Sequence, residues 1–282
     1  MPPMHILVQD VLMRDADPRA AAAAAGHACT VFSAPAGNRD RLDTVLTSLA
    51  DALGSRRPVL WCSLAVAARI RRAHPRLLPG LALPDDFLRH HVYSSLLDDT
   101  QVLNSPAIYL PWGKIRGARN LLRYLARNGD MPETIFVRPD SPFKPFTGMT
   151  LPLDTPEALA DACTITASSC ALHGEEMCVL APARHLPTDE YRVWIVDGIP
   201  VTWARYGWSP GSSTPGGPVP RGLMEAAATI ARRLAWHEQT YTADFVACPE
   251  WRLVELNALS TSGLYTGADM HALIGALDAV FV

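Results

Sequence analysis

Apolar residues along this chain change their period several times, and each change predicts an element. His5–Val8 and Pro58–Cys62 are short apolar runs of strand length. Asp17–Ala25 reads as a helix through its alanine run, alanine being the strongest helix former. Asp40–Leu53 reads as another, because Leu42, Val45, Leu46, Leu49 and Leu53 recur on one face at helical spacing. The first hundred or so residues therefore predict an α/β unit. The proline-rich passage His74–Pro84 and the break Asn104-Ser105-Pro106 interrupt regular structure, and a domain boundary is expected near residue 110, dividing the chain into 1–110 and 111–282.

Beyond that break, Lys114–Asn128 places Ile115, Ala118, Leu121, Leu122 and Leu125 on one helical face and stops at Asn128-Gly129. A strand is expected at Thr134–Arg138. Asp140–Met149 (DSPFKPFTGM) is too rich in proline and glycine for a helix and reads as a loop. Thr155 as N-cap and Pro156 at the first helical position open the next helix, and Met177–Ala181 is a short apolar strand. The chain then turns to β structure. Tyr191–Val196 and Ile199–Tyr206 flank Asp197-Gly198, the two-residue signal of a type I′ hairpin. Ser209–Pro220 offers little to bury and is expected to be mobile, as a linker or as a lid. Leu223, Met224, Ala227, Ile230, Ala231 and Leu234 mark one face of a helix. Strands at Tyr241–Cys248 and Trp251–Leu256 precede a C-terminal helix from about Ala268.

The last hairpin carries candidate chemistry. If Pro249-Glu250 is its two-residue turn, Asp244 lies opposite Glu255, and Asn257 shares the face because strand side chains alternate. Two adjacent carboxylates repel unless one is protonated or a cation lies between them, and such oxygen ligands suit Mg²⁺. The alternative is two separate, solvated carboxylates on an edge.

Composition narrows the field. A net charge of −3 leaves no basic surface for general nucleic-acid binding. The start, MPPMHILVQDV, lacks a signal-peptide pattern, no segment is long and apolar enough to span a bilayer, and a cytoplasmic protein is expected. The six cysteines form no C-x-x-C pair and read as buried free thiols. Of the 25 basic residues only Lys114 and Lys144 are lysine, which points to positions where a compact ammonium meets phosphate. Arg138 closes a strand where its fork reaches an anion from a rigid element. No P-loop and no G-x-G-x-x-G occurs. His90-His91 is expected to be a surface or loop pair rather than a metal site, and Ser168 and Ser169 lack a G-x-S-x-G setting. Trp203, Tyr206 and Trp208 read either as an aromatic wall or as hairpin packing.

Taken in order, WGK at Lys114, FVRPDSPFKPFTGM, EYRVWIVDGIPVTWARY and YTADFVACPEWRLVELNALSTSGLY resemble the ATP-grasp superfamily, and within it the clade with an exchanged arginine and lysine pattern. The resemblance runs from about Leu103 to Leu264, and residues 1 to about 100 are similar to that clade's N-terminal domain only loosely. It implies an α/β fold of two α+β lobes, an ATP-grasp fold behind a pre-ATP-grasp-like domain. It also implies an Mg-ATP-dependent ligase that joins a small-molecule or peptide carboxylate to an amine through an acyl phosphate. By the same resemblance Lys114, Arg138 and Lys144 contact ATP phosphates. The strand containing Val179, Leu180 and Ala181 reads adenine, and Glu190 and Arg192 lie near the ribose or the transferred phosphoryl group. Arg192 and Lys144 are then the catalytic candidates and Asp244, Glu255 and Asn257 the Mg²⁺ ligands, while Arg205, Ser260, Ser262 and Gly263 face the substrate. Two other readings stay open: an ATP-binding regulatory module without turnover, and an enzyme acting on a protein or nucleic-acid end.

Overall fold

A computed structural model of the chain describes residues 2–14, 16–34, 38–82, 86–186, 189–207, 218–234 and 240–281. In chain order it begins with β1 (Met4–Gln9), β2 (Met13–Arg14), α1 (Arg19–Ala24), β3 (Ala28–Phe32), α2 (Arg39–Ala52), β4 (Arg57–Trp61) and α3 (Leu64–Ala73). There follow α4 (His90–Ser94), β5 (Ile108–Pro111), a 3-10 helix over Trp112–Ala118, α5 (Arg119–Ala126), β6 (Thr134–Pro139), β7 (Met149–Pro152), α6 (Pro156–Cys170) and β8 (Met177–Pro182). The last third holds β9 (Asp189–Val196), β10 (Ile199–Gly207), α7 (Leu223–Arg233), β11 (Tyr241–Cys248), β12 (Glu250–Ala258), β13 (Leu264–Tyr265) and α8 (Met270–Val280).

The chain forms two compact units, each assembled from separated segments. One comprises Met1–Pro84, Thr188–Phe245 and Asn257–Val282, the other Asp85–Pro187 and Val246–Leu256. The first passage between them falls at Pro84–Asp85 rather than near residue 110, because α4 is tied to β5 and to the end of β6 and not to the N-terminal sheet.

In the first unit β1 is the centre of a parallel sheet ordered β3-β1-β4, with His5 opposite both Ala28 and Pro58. Met4, Ile6 and Val8 enter one core with Trp61, Trp194, Leu273 and Leu277. Leu7, on the other face as strand alternation requires, joins Leu46, Leu49, Leu60 and Ile70 in a second. A further sheet is ordered β10-β9-β11-β12. The β9–β10 turn has Asp197 at φ 50° and Gly198 at φ 72°, the pair of left-handed residues a type I′ turn requires. In the second unit the order is β5-β8-β6-β7, antiparallel throughout. Its core is built from Ile115, Leu122, Leu125, Ile135, Val137, Leu151, Leu159 and Leu180.

Several elements arise directly from local chemistry. Thr155 caps α6 by accepting from the Ala158 amide, with Pro156 in the first turn. In α7 Leu223, Ala227, Ile230 and Ala231 are buried as the spacing predicts, each large aliphatic contributing about 1.5–3 kcal/mol. The expected single helix over Lys114–Asn128 is instead two pieces. Three residues per turn in the 3-10 segment shift the phase of α5, so Leu121, expected in the core, is 50% exposed and Ala126 is buried in its place. All six cysteines are free, with Cys62, Cys163 and Cys178 buried and Cys29, Cys170 and Cys248 partly exposed. Burial pushes the Cys62 and Cys178 thiols up to about 12 and leaves them unreactive. Among the described residues no helix is long and apolar enough to cross a membrane. Trp208 and most of the Ser209–Pro220 segment lie outside the described residues.

Candidate functional site

The second unit gathers one cluster of charge. Ile135 and Val137 of β6 point into the core, so Arg138, next along the alternation, leaves it. Its guanidinium donates from Nη1 to the carbonyl of Val254 at 2.9 Å and from Nη2 to Oε2 of Glu255 at 3.0 Å. Lys144 Nζ donates to the other oxygen of the same carboxylate at 2.5 Å. Both cations singled out in this stretch thus meet on Glu255.

The loop that carries Lys144 is anchored at both ends. Ser141 accepts from the amides of Phe143 and Lys144 at its start. Phe146 is buried edge-on against Trp112, with ring centroids 5.4 Å apart, at its finish. Gly148 runs so close to the Phe136 ring that a Cβ would lie 2.7 Å from it. Between these anchors Lys144 adopts φ 47°, a left-handed conformation that costs a residue with a Cβ about 1–2 kcal/mol. Glycine or asparagine would be cheaper there, so the ammonium is the reason for lysine.

Behind Arg138 lies a buried polar group that the sequence reading set aside. His90, expected at the surface or in a loop, is only 1% exposed, with Nδ1 2.9 Å from the Tyr109 hydroxyl. Burial above all, then the charges of Arg138 and His91, lowers its pKa to about 3. As pH falls the unfolded chain therefore protonates this imidazole first. The stability owed to the neutral ring is complete above the ordinary value of 6.5 and is lost progressively toward 3. Urea unfolding between pH 7 and 4.5 should show wild type losing up to about 1.4 kcal/mol per pH unit from this group, with a shallower slope for His90→Gln. Equal slopes would show that His90 protonates as readily folded as unfolded.

The first unit holds a separate arrangement. Register places Asp244 of β11 opposite Arg192 of β9, and the two form a bidentate pair at 2.8 and 2.7 Å. Asp244 is fully buried, and Asn257 Nδ2 donates to its Oδ2 at 3.0 Å. Burial works against the Arg192 charge, but the attraction and hydrogen bonds of Asp244 outweigh it and hold its pKa well above the usual value. The guanidinium carbon also lies 5.4 Å from the Tyr206 ring centre and 5.2 Å from that of Tyr265, two rings stacked 4.6 Å apart. Tyr206 donates to Glu190 at 2.6 Å.

The remaining candidates lie in varied surroundings. Lys114 is exposed in the 3-10 helix, and no hydrogen bond or ion pair ties it to the Glu255 cluster among the described residues. Val179 and Leu180 lie between β5 and β6, whereas Ala181 faces β6 alone, so the open backbone edge begins only at the end of the expected adenine-reading strand. Arg205 pairs with Asp189 at 2.6 Å. The Ser260 hydroxyl accepts from the Ala82 amide, and that of Ser262 donates to the Ala258 carbonyl. Both serines are buried, which gives them a framework part, and Gly263 follows them in the same buried stretch.

The expected carboxylate repulsion in the last hairpin is replaced by pairing, because each acid already has cations of its own. Only Pro249 separates β11 from β12, one residue fewer than the expected turn. Among the described residues no three His, Cys, Asp or Glu side chains gather as a metal cluster. Asp244, Glu255 and Asn257 contribute two carboxylates and an amide, an all-oxygen set that fits Mg²⁺ chemically, since that ion takes one or two carboxylates and fills its shell elsewhere. Sequence reasoning missed Asp140, His91 and Tyr265, whose pairings are long-range and leave no local pattern.

The sequence model of an ATP-grasp domain, family 3 of the clade with the exchanged arginine and lysine pattern, matches residues 118–277. No curated protein sequence matches significantly. Among solved structures, D-cycloserine synthetase DcsG is similar with a TM-score of 0.56 and 15% identity over 99% of this chain and 100% of its own. The D-alanine-D-alanine ligase from Coxiella burnetii gives 0.54 and 14%, covering 99% and 94%. The L-amino acid ligase from Bacillus licheniformis gives 0.53 and 11%, covering 98% and 76%. At such identities the likeness is one of fold.

Proposed function

Because the chain belongs to this third family of the arginine- and lysine-exchanged ATP-grasp clade, we propose that it is an Mg-ATP-dependent ligase joining a carboxylate to an amine. The observation that carries this reading is the double hold of Glu255 on Arg138 and Lys144. A carboxylate that keeps two cations together stores them for a competing polyanion, and phosphate oxygens are the natural competitor.

Bound ATP and magnesium would supply the phosphoryl group and the counter-charge that turn a carboxylate substrate into an acyl phosphate. The protein's own part is positioning and charge. Arg138, rigid on β6, and Lys144, carried by a loop, exchange Glu255 for phosphate oxygens, and Lys114 adds a third cation. Released from these partners, Glu255 acts with Asp244 and Asn257 as a magnesium ligand. Glu190 and the edge from Val179 and Leu180 to Ala181 receive the nucleoside. Arg192, locked between Asp244 and two tyrosine rings, presents a fixed positive field toward the charge developing on the transferred group. Arg205 and the stretch Ser260, Ser262 and Gly263 shape the acceptor side, the serines through the backbone they pin. The known acceptors of the fold relatives, D-alanine and L-amino acids by their names, motivate amino acids and short peptides as the first substrates to try.

Incubation with ATP and ¹⁸O-carboxylate-labelled amino acids tests the scheme. Formation of ADP with one ¹⁸O atom in the released phosphate is the expected result. Cleavage to AMP, or unlabelled phosphate beside a labelled amide product, would exclude an acyl phosphate.

A further inference from the structure

Asp140 follows β6, two residues after Arg138, with its side chain fully buried. Both its oxygens serve one partner. Oδ1 accepts from the main-chain amide of His91 at 2.9 Å, and Oδ2 lies 2.7 Å from His91 Nδ1. Arg89 Nη1 is next, at 3.7 Å. A carboxylate held in this way keeps the imidazole proton on Nδ1, leaves Nε2 as the acceptor, and stabilises the imidazolium formed when Nε2 takes a proton. The His91 side chain is 49% exposed, in contrast to the enclosed ring of His90 beside it. Of the two histidines only His91 can exchange a proton with a solute. The ionisable groups around the dyad are Arg89, His90 and Tyr93 on the same helical segment, Tyr109 on β5 with its ring 6.0 Å from that of His91, and Arg138 on β6. Glu255 on β12 acts on Tyr93 behind them.

We propose that His91, oriented by Asp140, is the general base that receives the proton of the amine substrate as its nitrogen attacks the acyl phosphate. The inference rests on the ligase reading and concerns its second step. The C–N bond forms as the N–H bond breaks toward His91 Nε2, the C–O bond to phosphate breaks with its electron pair, and His91 then returns the proton to solvent. A buried carboxylate beside an exposed imidazole supplies what this step needs, because an ordinary amine arrives as ammonium and has to shed protons near neutral pH.

The test separates amine from nucleophile. Wild type, His91→Gln and Asp140→Asn are given ATP and a mixture of common L-amino acids, with and without hydroxylamine, which is uncharged near neutral pH and needs no base. Wild type is expected to form both hydroxamate and amide. His91→Gln should keep hydroxamate formation and lose amide formation by about 10²-fold, and imidazole added to His91→Gly should restore it. Equal loss of both products in His91→Gln, or no loss of either, overturns the assignment of His91 alone. Neither product from folded wild type removes the ligase reading for amino acids, and this inference with it. Asp140→Asn reports on orientation if it folds; His91→Gln, at a half-exposed position, carries the test if it does not.

Discussion

Asp244→Asn is expected to cost the protein about 3–5 kcal/mol of stability, a large share of what a domain of ordinary stability has. The substitution keeps the shape of the side chain and removes its charge, leaving the Arg192 guanidinium buried without an anion. The side chains of Asp244 and Arg192 are 0% and 7% exposed, so water cannot step in. The rings of Tyr206 and Tyr265 beside Arg192 recover at most about 2 kcal/mol by cation–π attraction. Urea unfolding of the single variant and of Arg192→Met/Asp244→Leu distinguishes charge from packing. The double variant should be the more stable of the two, because breaking a buried pair is worse than replacing it. A single variant within about 1 kcal/mol of wild type would mean that the pair is solvated after all.

The second large effect is on turnover. Lys144→Ala and Arg138→Ala should each lower the rate of ADP release by roughly 10²- to 10³-fold, the usual result of deleting one donor to a developing charge. Lys144→Arg should also be impaired, since a planar fork does not replace a point charge on a loop. Full activity in Lys144→Arg would dispose of the argument from the two lysines. Glu255→Gln should slow turnover as well, but the structure changes its expected effect on stability. With two cations held by this one carboxylate, its neutralisation should lower the unfolding temperature in the absence of ATP. The gain expected from relieved carboxylate repulsion does not apply.

Much of this architecture is legible in the sequence alone. Elements with strong local signals came through: the Thr155-Pro156 helix start, the Asp197-Gly198 turn and the apolar face of α7 each carry their cause within a few residues. β3 and α3 went unread, although Ser63 is a serviceable N-cap for α3 and Leu64, Val66, Ala67 and Ile70 have helical spacing. The site was legible in its composition and not in its pairing. Arg138, Lys144 and Glu255 were each named from residue type and setting, but nothing in the sequence says that residue 255 lies between residues 138 and 144. His90 shows the limit most clearly. Adjacent histidines near a surface helix read as bland, and only tertiary burial separates the enclosed ring from the exposed one.

The long closure of the first unit has a consequence for synthesis. Arg57 on β4 pairs with Asp278 on α8, 221 residues later, and β2 pairs with β13. At about 5–20 residues per second on the ribosome, the N-terminal sheet waits on the order of 10–40 seconds for the helix that covers Met4, Ile6 and Val8. During that interval its apolar face has no native partner. Nascent chains stalled short of Met270 would therefore be expected to recruit chaperones that bind exposed apolar strands, whereas full-length chains released from the ribosome would not.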